Sequence, residues 1–159
     1  MPAIGDPVLG GIETWIFDLD NTLYPASCRL FDQIHANMTR FIAERLLEHL
    51  GIAGSFCGIV DIVAAGYEPK PGPAGYYELL RRHQVTPAVA IMFEDMAKNL
   101  VPAAALGMTT AWVRNSVDWA ADGSEGDHIH HVVDNLGGFL SAAASQSRSC
   151  PSPGLISSP

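Results

Sequence analysis

Two aspartates stand one residue apart at the end of an apolar run, in Trp15-Ile16-Phe17-Asp18-Leu19-Asp20-Asn21-Thr22-Leu23-Tyr24. Alternate residues of a strand share a side, so Asp18 and Asp20 point the same way if extension continues. The strand is expected to end at Asp18, and the turn after it can aim both carboxylates into one crevice. Two acids at the end of a buried strand are costly unless their charge is compensated. A divalent cation is the simplest compensation, and Mg²⁺ prefers oxygen ligands of this kind. The plainer reading is a strand closed by an Asx-turn, in which Asp and Asn serve only the backbone.

Two further groups carry chemistry. Lys70 sits in the rigid stretch Gly66-Tyr67-Glu68-Pro69-Lys70-Pro71-Gly72-Pro73, and Glu94-Asp95 close the apolar run Ala90-Ile91-Met92-Phe93. Taken alone, Lys70 reads as a solvated turn lysine, and Glu94-Asp95 read equally well as acids favoured at a helix N-terminus. Together with Asp18, Asp20 and Thr22 they fall near strand ends, where open α/β sheets bind ligands. Several carboxylates and one ammonium form the set expected for phosphoryl transfer through an acyl phosphate. A carboxylate attacking a phosphate needs its repulsion cancelled, which Mg²⁺ does while clamping phosphate oxygens, and a lysine neutralises charge on the transferring group.

The string Phe17-Asp18-Leu19-Asp20-Asn21-Thr22-Leu23-Tyr24 resembles the first signature of the haloacid dehalogenase-like (HAD-like) hydrolases. Tyr67-Glu68-Pro69-Lys70-Pro71 is similar to that family's third signature, and Phe93-Glu94-Asp95-Met96-Ala97-Lys98-Asn99-Leu100 to its fourth. The details resemble the pyrimidine 5′-nucleotidase branch. The resemblance implies Mg²⁺-dependent hydrolysis of a small phosphate monoester, such as a pyrimidine nucleotide, through an aspartyl phosphate. It makes Asp18 the nucleophile and Asp20 the general acid and then base. Thr22 would support the loop and the phosphate. Lys70 would steady nucleophile and phosphate, and Asp95 with Glu94 would join Asp18 and Asp20 in holding Mg²⁺. Asn99 stands where many relatives have a second acid.

The elements that must position these residues follow from periodicity. Strands are expected at Thr14–Asp18, Ile59–Ala65, Ala90–Phe93 and Thr109–Val113, with a brief edge strand at Val132-Val133. Helices are expected from Leu30 to Leu50 with Gly51 as the stop, from Pro73 or Ala74 to His83, and from Leu136 to Ala144. Tyr76, Tyr77, Leu79 and Leu80 are the packing candidates of the second of these. Met96 to Leu106 reads as a short helix or turn interrupted by Pro102 and ended by Gly107. Thr86-Pro87 has the form of a helix start. The alternation predicts a Rossmann-like α/β domain with a largely parallel sheet. Residues 1–11 read as a flexible lead-in, 12–144 as the core, and the Ser- and Pro-rich 145–159 as a disordered tail.

Compared with the family the core looks internally deleted. No cap domain and no second core strand ending in Ser or Thr is readable between Thr22 and Ile59; Ser55 lies in a Gly-rich connection. The strand at Ile59 would then have to pair directly with the one at Trp15, or exposed edges would favour self-association. An open crevice would also lack a means of selecting substrate and one phosphate-binding hydroxyl. A remnant without turnover, acting as a binding module or having no role, is therefore the competing reading.

The chain has 159 residues, 48% hydrophobic and 16% charged, which fits one globular domain. A net charge of -8 argues against a nucleic-acid partner. The start lacks the pattern of a signal peptide, no run is long enough to span a bilayer, and Cys28, Cys57 and Cys150 form no disulfide or zinc spacing. These features lead to the expectation of a cytoplasmic location. His128, His130 and His131 are the remaining cluster, read as a solvated loop in preference to a zinc or nickel site. Trp112 and Trp119 read as core or surface filler.

Overall fold

The structure, a computed structural model, describes residues 9–19, 22–23 and 47–147. Its centre is a four-stranded sheet in the order β1-β2-β3-β4, all parallel: β1 Thr14–Phe17, β2 Ala90–Glu94, β3 Thr109–Val113 and β4 His131–Val133. Every residue of β2 and β3 is buried. Their largely apolar composition, broken by Glu94, Thr109 and Thr110, follows from being covered on both faces.

Side-chain alternation sorts the core into two layers. Ile16, Ala90, Met92 and Trp112 face one way, against Tyr76, Leu79 and Leu80 of α1 (Ala74–His83) and Leu100 and Ala103 of α2 (Leu100–Ala105). Trp15, Phe17, Ile91, Phe93, Ala111 and Val113 face the other way. That layer is closed by Leu136, Phe139 and Leu140 of α3 (Leu136–Ser147). Phe93 stacks on Phe17 at 4.8 Å and on Trp15 at 5.7 Å, which fastens β1 to β2. The Rossmann-like α/β expectation holds.

Several expectations are corrected. Residues 59–65 form no strand. Asp61 Oδ1 accepts the Ala64 N–H at 2.8 Å, and the Ala65, Gly66 and Tyr67 amides bond back to Asp61, Val63 and Ile62. One short polar side chain offers the backbone a local alternative to a sheet ladder, and it overrides the β-branched run. Ile62 and Val63 are left 39% and 48% exposed. The fourth strand of the sheet is instead β4, and β1 pairs directly with β2; among the described residues no strand lies on the other side of β1.

Pro102 does not interrupt α2. It lies in the first turn, where its missing N–H is not needed. Tyr77 is 59% exposed and does not pack. Thr86 precedes only a 3-10 turn, Pro87–Val89, and makes no capping bond. Leu9–Gly11, at the end of the stretch read as a lead-in, form a 3-10 turn with Leu9 packed on the sheet. Helix α3 runs to Ser147, into the stretch read as a tail. Of the helix expected from Leu30 to Leu50, residues 47–49 are described and helical. Gly51 stops it at φ +74°, with the Gly51 and Ile52 amides bonded to Glu48 and Leu47 carbonyls. Residues 30–46 of that helix, Cys28, Cys150 and residues 148–159 lie outside the described residues, and Leu50 is a turn residue.

Candidate active site

Asp18 and Glu94 meet because of strand register. Phe17 stands opposite Phe93, so the next residues on each strand are neighbours, and the Asp18 N–H donates to Phe93 O at 2.8 Å. Asp18 continues the parity of Ile16, and Glu94 that of Met92. Both therefore emerge on the α1 face, where Lys70 arrives from the preceding loop. Its ammonium donates to Asp18 Oδ1 and to Glu94 Oε2. The side chains of Asp18 and Glu94 are 16% and 1% exposed, and that of Lys70 is 35% exposed at the mouth of the crevice.

The loop that delivers Lys70 is held at both ends. Gly66 and Tyr67 take left-handed backbone angles, φ +66° and +64°. Glu68 Oε2 accepts the Ala74 N–H at 2.7 Å and so caps α1 from six residues upstream. Between them the Gly72 N–H closes a turn onto Pro69 O at 2.8 Å. Gly72 is required there, since a Cβ would fall 2.4 Å from Glu68 Cγ and 2.8 Å from Pro69 O.

Behind the ion pair lies a buried polar layer. Asn99 Nδ2 donates to Glu94 Oε1 at 3.1 Å, and the Tyr76 hydroxyl donates to Asn99 O at 2.5 Å. Burial pushes the Glu94 carboxyl up to about 7 against the pull of Lys70, with the charge of Asp18 acting in the same direction as burial. Burial also opposes the charge on Lys70, but Asp18 and Glu94 outweigh it and hold the ammonium above its ordinary value. The Tyr76 phenol is raised above its ordinary value, chiefly by burial.

Asp95 is fixed separately. Its carbonyl accepts Trp112 Nε1–H at 2.7 Å, and its Oδ2 accepts Asn115 Nδ2 at 2.9 Å. One carboxylate oxygen from each of Asp18, Glu94 and Asp95 lies within 4.8 Å of the others. These donors suit a hard divalent cation: all are oxygen, and three carboxylates face one ammonium. Asn99 Oδ1, beside Glu94, is buried with no hydrogen-bond partner among the described residues, as is Thr22 Oγ1. Glu94 is committed to Lys70 and Asn99, which leaves Asp18 and Asp95 better placed to hold an ion.

Of the residues expected at the site, the structure brings together Asp18, Lys70, Glu94 and Asp95, and it buries Thr22. Asp20 lies outside the described residues. The histidines do not converge, and they are not simply a solvated loop. His130 Nδ1 faces Thr110, His128 Nε2 lies 3.2 Å from Ala97 O, and His131 is a buried member of β4 beside Phe139. Among the described residues they belong to no metal-ligand group. Tyr76, Trp112 and Asn115 were missed as members of the polar framework. A tyrosine on an apolar helix face needs a partner for its hydroxyl, which was the available signal for Tyr76. Asn115 lies two residues beyond β3, at the edge where ligands gather.

A family model described as haloacid dehalogenase-like hydrolase matches residues 34–107. That segment contains Lys70, Glu94 and Asp95 and begins after Asp18. No curated protein matches the chain. Among solved structures, the chain is similar to a β-phosphoglucomutase from Clostridium difficile, with 22% identity and a TM-score of 0.46. The likeness covers 65% of this chain and 45% of that enzyme, so the chain spans less than half of its length.

Proposed function

We propose that this chain hydrolyses a small phosphate monoester with Mg²⁺ by the haloacid dehalogenase-like route. The observation that carries the reading is the Lys70 ammonium bridging Asp18 and Glu94 at the ends of adjacent parallel strands, with Asp95 alongside.

On this reading the Asp18 carboxylate attacks phosphorus, forms an acyl phosphate and expels the alcohol; water then cleaves the acyl phosphate. Asp20 gives the alcohol oxygen its proton and later takes one from the water. Lys70 holds Asp18 in place and neutralises charge on the transferring group. Asp18, Asp20 and Asp95 would hold Mg²⁺, with Glu94 chiefly orienting Lys70. Bound Mg²⁺ supplies charge neutralisation at the phosphate oxygens. Thr22 supports the loop after Asp18 and the phosphate. A pyrimidine nucleotide is the substrate suggested by the signatures.

The test is hydrolysis of an aryl phosphate with Mg²⁺ or chelator, with Asp18→Asn beside the wild type. Mg²⁺-dependent turnover should fall at least about 100-fold in the variant. A pyrimidine nucleotide in a substrate panel should then exceed the aryl phosphate. Equal rates in two folded proteins would instead support a module without turnover.

A further inference from the structure

Glu94 and Asp95 are adjacent acids, but they are held by different asparagines. Glu94 is tied to Lys70 and Asn99 on the α1 side. Asp95 is tied by Asn115, from the loop after β3. Asn115 is itself fixed, because its Oδ1 accepts the Val117 N–H at 2.9 Å and closes an Asx-type turn. The amide is thereby oriented with its acceptor toward the loop and its donor toward Asp95. Trp112 secures the Asp95 main chain from the same strand.

We infer that Asn115 is a positioning residue that raises the affinity of the crevice for a divalent cation, by helping to fix the rotamer of Asp95 through its N–H···O bond. An aspartate less firmly held would have to lose more rotamer freedom when an ion arrives. This inference rests on the cation reading of the same site.

Serine at 115 separates the two jobs of the side chain. Its hydroxyl can still accept the Val117 N–H in an ST-turn but is too short to reach Asp95. Mn²⁺ binding, followed by the loss of free-ion electron paramagnetic resonance signal, is the direct measurement. Asn115→Ser and Asn115→Ala should each weaken Mn²⁺ about 10- to 100-fold. The metal-free melting temperature of Asn115→Ser should stay within about 2 °C of wild type. Neighbouring Ser116→Ala should bind as wild type does. With turnover as a second readout, saturating Mg²⁺ should restore most of the rate of Asn115→Ser. Wild-type affinity in Asn115→Ser would overturn the inference, whether or not Asn115→Ala is weakened, because the amide would then matter only to its loop. Wild-type protein that binds no Mn²⁺ would overturn the cation reading, and this inference with it.

Discussion

Glu94 is the residue on which the electrostatics of the crevice turn. Its carboxyl is 1% exposed, and its folded value of about 7 lies above the ordinary 4.5, mainly because of burial. An acid with a raised folded value favours the native state in its protonated form. Its contribution is full below about 4.5 and is lost as pH rises through about 7. Glutamine stays neutral throughout. In chelator, then, the stability of Glu94→Gln relative to wild type should improve between those limits and level off above them. The change should be on the order of 2–3 kcal/mol, read from urea unfolding at a series of pH values. Parallel curves for the two proteins would mean that Lys70 and Asn99 already compensate the ionised carboxylate in full.

Among the elements, the loop before α1 does the most positioning for its length. Gly72→Ala should push Glu68 away from the Ala74 N–H and shift Lys70 from the two carboxylates it bridges. A cost of about 1–3 kcal/mol is expected in urea unfolding, together with slower turnover. An unchanged midpoint would show that the loop absorbs the methyl group. This loop was legible from Lys70 and its flanking prolines, and β2 and β3 were legible as mostly apolar or β-branched runs because sheet burial on both faces leaves no alternation to misread. The segment at Ile59 was not. Its composition was that of a strand, but Asp61 bonded locally, and a β-branched run without a neighbouring ladder has nothing to pair with. The Asn115 contact was also hidden, since Asp95 and Asn115 are brought together only by the pairing of β2 with β3. The three histidines looked like a unit by spacing; Thr110, Ala97 and the β4 backbone divide them.

For the molecule as a whole, a net charge of -8 and the proposed cation site in the crevice predict stabilisation by cations in two distinct ways. Monovalent salt relieves general repulsion by screening, whereas Mg²⁺ bound at the crevice stabilises only the folded chain. Near 100 times its dissociation constant, Mg²⁺ should raise the melting temperature by about 5–10 °C. Matched ionic strength in KCl should not, and Asp95→Asn should lose most of the effect. Identical shifts from both salts would reduce the crevice to part of the general charge. The sheet also follows the chain in strict order, yet its steps are unequal. Between β1 and β2 lie residues 18–89, whereas β2, β3 and β4 follow one another over short intervals. Because closure entropy grows only with the logarithm of length, pairing β1 across this interval costs roughly 1–2 kcal/mol more than the other pairings. Within the described sheet, β1 is thus the strand whose attachment is entropically dearest, and it is the one that ends at Asp18. Local opening there separates Asp18 from Lys70 and Glu94 while the rest of the sheet stays paired. Loss of the crevice by that route is a partial unfolding event, to which chain connectivity contributes alongside the ion pair.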